Sequence, residues 1–134
     1  GPVSNLILGL LVALIMRVLG IDIIDALPPM LQLILFQLVW FNILLFIFNL
    51  LPLFPIDGWQ VVLSLLPPDL AVRWESWRTT TTYILFGLIL LSFVGIPGLN
   101  LLSTLIGQPS SDLLINSLGF DLFRQYITVL RAFM

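Results

Sequence analysis

At the end of a long, almost uncharged apolar run stand Asn49, Pro52, Pro55, Asp57 and Gly58, an amide, two helix breakers, a carboxylate and a glycine within ten residues. Ionisable side chains at membrane depth are costly and face a protein interior or a water-filled cavity, where a cation, a proton or a substrate can meet them. Asp57 is therefore the leading candidate site residue. Pro52 and Pro55 remove two backbone donors, and irregular backbone is tolerated inside a bilayer only where it is buried in protein or lines a cavity. A broken helix end beside Asp57 thus predicts a polar pocket. The competing reading is a plain turn at the membrane surface, with Asp57-Gly58 as ordinary turn residues.

A second group favours the site over the turn. Asn49-x-x-Pro52-x-x-x-x-Asp57-Gly58 resembles the Asn/Pro/Asp/Gly motif of the site-2 protease family of intramembrane zinc metalloproteases, and the opening Gly1-Pro2-Val3-Ser4-Asn5 is similar to the Gly-Pro-x-x-Asn motif that begins the preceding membrane helix in that family. Two motifs in the right order, separated by a hairpin of two apolar segments, are more specific than either alone. The resemblance covers residues 1–59. It implies that Asp57 is a zinc ligand and that Asn49 positions substrate backbone or stabilises an oxyanion. It implies as well that the other two ligands and the general base come from a His-Glu-x-x-His helix. Zinc held in that way would lower the pKa of its water toward about 7, the glutamate would move the water's proton to the leaving amine, and Asn49 could donate to the developing oxyanion. Substrates of the family are transmembrane segments of other proteins, and the associated process is regulated intramembrane proteolysis.

The chain holds no histidine and no cysteine, whereas catalytic zinc sites use three protein ligands and leave a fourth position to water. Only Asp57 is a candidate ligand. Opening on Gly1-Pro2 without an initiator methionine, the chain is expected to be the later part of a longer protein and to be inactive by itself. Trp59 stands where the family commonly has a small or polar residue. Gly1 and Asn5 are assigned to helix packing.

Composition decides the broad class. Hydrophobic residues make up 60% and charged residues 9%, with a mean hydropathy of +1.16, against about 25% charged in ordinary soluble domains. An all-α, polytopic integral membrane protein is expected, with about three transmembrane helices and an interfacial amphipathic C-terminal helix. Five arginines, no lysine and no basic cluster exclude a phosphate-tracking nucleic-acid surface. The absence of cysteine removes disulfide and thiolate chemistry.

Along the chain, residues 3–19 form a first span with Arg17 near its end, reaching for the interface. Residues 20–29 form a connector ended by Pro28-Pro29, and residues 30–51 a second span. In it Gln32, Gln37 and Asn42 read as interhelical hydrogen-bonding groups. Residues 59–78 read as a surface loop or short interfacial helix, with Trp59, Trp74 and Trp77 at headgroup level. A third span is expected over residues 79–94, its four threonines capping the start and Gly95-Ile96-Pro97-Gly98 closing it. Residues 99–106 are too short to cross, 107–112 read as a polar turn, and 113–134 as an amphipathic helix on the membrane or against a partner, its Arg124 and Arg131 facing anionic headgroups. This divides the chain into a transmembrane core, 1–107, and a tail, 108–134.

Arg73 and Arg78 between two spans place the Asp57 end toward the cytoplasm by the positive-inside rule, with the plasma membrane as the expected location. The partners expected are the bilayer and transmembrane segments of substrate proteins. A non-catalytic scaffold or accessory subunit of a larger membrane complex is the alternative from another class, kept open by the lack of histidine. A transporter fragment is a third reading, to which one carboxylate without an inverted repeat gives little support.

Overall fold

The computed structural model describes residues 1–95 and 101–134, and among them every regular element is an α-helix. In chain order these are α1 (Pro2–Leu19), α2 (Ile21–Asp25), α3 (Pro29–Asn49), α4 (Asp57–Leu65), α5 (Pro68–Glu75), α6 (Arg78–Val94), α7 (Leu101–Leu118) and α8 (Phe120–Ala132). Prolines set several starts. Pro2, Pro29 and Pro68 occupy the first helical turn, where a missing N–H costs nothing and the fixed φ suits the helix.

Two helices, α1 with 18 residues and α3 with 21, are long and apolar enough to cross a membrane; at 1.5 Å per residue they measure about 27 and about 32 Å. A third crossing is available if α5 and α6, bent by 52° at their junction, are taken as one broken span. The outward sides of α1 and α3 carry exposed Ile7, Leu11, Leu14, Val18, Ile34, Phe41 and Leu45, as lipid-facing surfaces should.

The pairing of α1 with α3 rests on small residues. Gly9 and Ala13 are buried on one side of α1, and a Cβ added at Gly9 would lie 3.2 Å from the Asn42 Cβ. Small side chains four apart let two membrane helices approach closely. Gly1, assigned to packing from the sequence, is instead exposed with nothing near its Cα direction; Asn5 is half-buried.

The central core joins Ala13, Met16, Ile24, Phe36, Val39, Ile43, Leu114, Leu118, Leu122 and Tyr126, so α7 and α8 close over α1 and α3. The expected polar turn over residues 107–112 lies inside α7, with Pro109 in the helix interior. Packing explains the difference. Ile106, Ser110, Leu114 and Leu118 form a buried stripe at helical spacing, and burial of such a stripe overrides the local preference of Gly, Pro and Ser for a turn. Residues 96–98, expected to close the third span, lie outside the described residues, although Gly95 does end α6 with φ 70°.

Polar side chains lock α8 in place. Gln125 Nε2 donates to Asp25 Oδ1 at 2.8 Å and to Gln32 Oε1 at 2.9 Å, while the Gln32 amide donates to the Leu27 carbonyl at 2.8 Å. The Tyr126 hydroxyl donates to Gln37 Oε1 at 3.3 Å, and its ring stacks on Phe36. Gln32 and Gln37 thus act between helices as expected. Asn42 does not, for its amide donates to the Leu38 carbonyl of its own helix at 2.7 Å. The apolar stripe of α8, Leu122, Tyr126 and Val129, is buried against α3 and α7.

Two sharp joints have the same shape. Gly20, between α1 and α2, has φ 84° and ψ 162°, and Gly119, between α7 and α8, has φ 81° and ψ 165°. Only glycine occupies that region readily. The sequence repeats around them, Leu19-Gly20-Ile21-Asp22 and Leu118-Gly119-Phe120-Asp121, and Arg17 lies against Gly119 while donating to the Asn116 carbonyl at 3.4 Å.

Candidate functional site

Asn49 is the last residue of α3 and Asp57 the first of α4, so the two candidates flank one turn, residues 50–56. The helix ends because Pro52 and Pro55 cannot supply the next donors; Leu50 and Leu51 close it with N–H groups bonded to the Ile47 and Phe48 carbonyls, each at 3.1 Å. The chain then reverses through Leu53–Ile56, whose N–H to carbonyl bond is 2.8 Å, and α4 begins.

Gly58 permits the junction. Its α-carbon sits so close to the end of α3 that a methyl added there would overlap the carbonyl oxygens of Leu50 and Leu51. A glycine after Asp57 is therefore a packing requirement, not a mark of a loose turn.

The freed backbone of the turn is satisfied by the threonines of α6. Phe54 N–H donates to Thr81 Oγ1 at 3.3 Å, and Thr82 Oγ1 lies 3.3 Å from the Phe54 carbonyl as its donor. These threonines were expected to cap their own helix; α6 has no side-chain cap at Trp77. Instead they bolt the turn to the third apolar helix, supplying partners that lipid could not.

An aromatic cluster holds α4 from below. Trp59 is fully buried, stacked on Trp74 at 4.5 Å between ring centroids and edge-on to Phe54 at 6.0 Å. The Trp74 Nε1–H donates to the Trp59 carbonyl at 3.3 Å, and the Arg78 guanidinium lies 4.7 Å over the Phe54 ring while pairing with Glu75 at 2.6 Å. Trp59 was expected at headgroup level. It is a core residue, because aromatic contact on two sides outweighs the lone indole N–H left without a partner among the described residues. Trp74 is half-buried and Trp77 exposed, as an interfacial pair would be.

Asp57 itself is exposed and Asn49 half-buried. No hydrogen bond joins either side chain to another described residue. The polar pocket expected beside Asp57 is not enclosed by the described residues, although the carboxylate does sit on the positive end of α4.

Against known proteins, the chain is 36% identical over 106 residues to a protein of Bacillus subtilis (strain 168) named "Putative zinc metalloprotease YwhC", a match that covers 75% of this chain and 48% of that protein. The chain is a zinc-metalloprotease relative. It spans about half the length of the relative it matches, and the likeness agrees with the resemblance carried by the two motifs. No family model and no solved structure matches.

A zinc ion needs at least three protein ligands in a catalytic site. Among the described residues no group of three or more His, Cys, Asp or Glu side chains is gathered to hold a metal. These residues therefore do not fit a complete zinc site by themselves; at the turn between α3 and α4 they offer one carboxylate, Asp57. Sequence reasoning missed Gly9 as the contact glycine of α1, Trp59 as the anchor of α4, and Thr81 and Thr82 as partners of the turn. Spacing could have found Gly9, which stands four residues before Ala13. Little local marks the other three: Trp74 lies 15 residues from Trp59, and Phe54 lies 27 and 28 residues from Thr81 and Thr82.

Proposed function

We propose that this chain is the aspartate-bearing part of a site-2-protease-like intramembrane zinc metalloprotease that hydrolyses peptide bonds in transmembrane segments of other membrane proteins. The observation that carries the reading is the junction at Gly58, which seats the first turn of α4 on the last carbonyls of α3 and so keeps Asn49 and Asp57 at one fixed, partly irregular helix end. The named relative and the order of the two motifs support it.

In this reading Asp57 supplies one zinc ligand, the remaining ligands come from residues outside this chain, and Asn49 contacts substrate backbone or an oxyanion. The chain alone is inactive. Arg73 on α5 and Arg78 at the start of α6 favour a cytoplasmic position for the Asp57 end, and the location we propose is the plasma membrane.

The test uses the full-length protein in membranes, with zinc content and cleavage of a transmembrane substrate measured together. About one zinc per protein, lost with Asp57→Ala, and cleavage lost with Asp57→Ala or Asn49→Ala at unchanged protein level, are the expected results. Cleavage that persists in the Asp57 variant would sink the reading.

A scaffold or accessory subunit of a membrane complex is the second reading. The observation behind it is that Asp57 is the one carboxylate at the turn between α3 and α4, in a chain without histidine. It predicts no copurifying zinc and full biological function for Asp57→Ala.

A further inference from the structure

Beyond the turn that carries Asp57, α4 and α5 enclose a cleft. Leu66 just after α4, Leu70, Arg73 and Trp74 of α5, and Trp77 line a space of about 310 Å³, within the range of about 300–1,000 Å³ usual for ligand clefts. Leu70 and Trp77 stay exposed, and apart from Arg73 the lining side chains are apolar.

A chain of contacts sets the level of this cleft. α3, long and apolar enough to cross a membrane, measures about 32 Å, so in a bilayer with a core of about 30 Å its last residue, Asn49, comes to one face. Gly58 packs on the carbonyls of Leu50 and Leu51 just past that end. Trp59 follows Gly58, and the Trp74 indole donates to the Trp59 carbonyl at 3.3 Å. The cleft beside Trp74 therefore lies at headgroup level, where tryptophan keeps its ring among apolar chains and its N–H among polar groups.

Arg73 decides what fits there. Among the described residues the ion pair that forms is Arg78 with Glu75; Asp69, one turn before Arg73 on α5, is not paired with it. An unpaired cation on the wall of an apolar cleft at headgroup level complements a molecule with an anionic head and an apolar tail. An anionic phospholipid has that form. A protein segment in the same cleft would set backbone polar groups against apolar walls without partners, whereas an acyl chain brings none.

We propose that the cleft between α4 and α5 holds one anionic phospholipid, its acyl chain against Leu66, Leu70 and the indoles of Trp74 and Trp77, and its phosphate on the Arg73 guanidinium. Trp74 lines the cleft and also stacks on Trp59, so the bound lipid braces α5 against the helix that carries Asp57. The site needs no metal, and its readout is lipid capture and not proteolysis, so it can fail or hold apart from the zinc reading.

The experiment is photocrosslinking of the full-length protein in bilayers, using phosphatidylglycerol with a diazirine in its acyl chain against phosphatidylcholine with the same chain, and mapping the labelled residues by peptide. Labelling should fall within residues 66–77 and favour phosphatidylglycerol about fivefold at equal mole fraction. Arg73→Gln should remove that preference at this segment, while Arg124→Gln, on α8, should leave it intact. Leu70→Trp, which fills the cleft from an exposed position, should reduce labelling here and nowhere else. Equal labelling by the two lipids, a preference that survives Arg73→Gln, or no labelling of residues 66–77, as when another protein segment fills the cleft, would overturn the proposal.

Discussion

Gly58 lies against the carbonyl of Leu50 with no room for a side chain between them. This contact couples the end of one apolar helix to the start of the helix that carries Asp57. Gly58→Ala must push the two helices apart, at a cost of about 1–3 kcal/mol for overpacking. The expected outcome is lower thermal stability of the detergent-solubilised protein. Loss of any Asp57-dependent activity should exceed what that loss of stability explains, because the carboxylate moves with the helix.

Thr81 and Thr82 should matter through Phe54 more than through α6. Thr81→Val keeps shape but leaves the Phe54 N–H without its acceptor, a loss of about 1–3 kcal/mol if the group stays buried. Thr82→Val should cost less, since the Thr82 hydroxyl divides its one proton between the Phe54 carbonyl and the Arg78 carbonyl at 2.8 Å. Hydrogen exchange at the Phe54 amide is the direct check, with faster exchange expected in Thr81→Val.

The joint between α7 and α8 depends on Gly119, whose φ of 81° and ψ of 165° any L side chain resists by about 1–3 kcal/mol. Gly119→Ala should lower the melting temperature and loosen α8 from α3. Gly87→Ala is the control: Gly87 lies within α6 with open space around it, so alanine there should stabilise by about 0.5–1 kcal/mol.

Tyr126 gives a pH dependence with a definite sign. Burial of its phenol raises the pKa above the usual 10.0, so above that value the unfolded chain gives up a proton that the folded protein retains. The folded state then binds more protons, and stability falls as pH rises from about 10 through the raised value. The contribution is fully present below pH 10. Tyr126→Phe should remove this alkaline loss while giving up the bond to Gln37; phenolate absorbance against pH, compared with wild type, checks it.

Much of the architecture was written in local residue choice. Apolar runs of spanning length, prolines at Pro2, Pro29 and Pro68, and the breakers Pro52 and Pro55 act within a turn or two of where they stand, so α1, α3 and the broken end at Asn49 can be found without knowing any neighbour. The two motifs pointed in the same way to the zinc-metalloprotease relationship that the Bacillus subtilis protein supports. What needed the tertiary structure was every decision made at a distance. Residues 107–112 look like a turn until Leu114 and Leu118 find α3 to pack on; Trp59 looks interfacial until Trp74 stacks over it; the threonines look like caps until Phe54 presents its bare N–H. In each case a local preference worth a fraction of a kcal/mol yields to burial or to a hydrogen bond that lipid cannot replace.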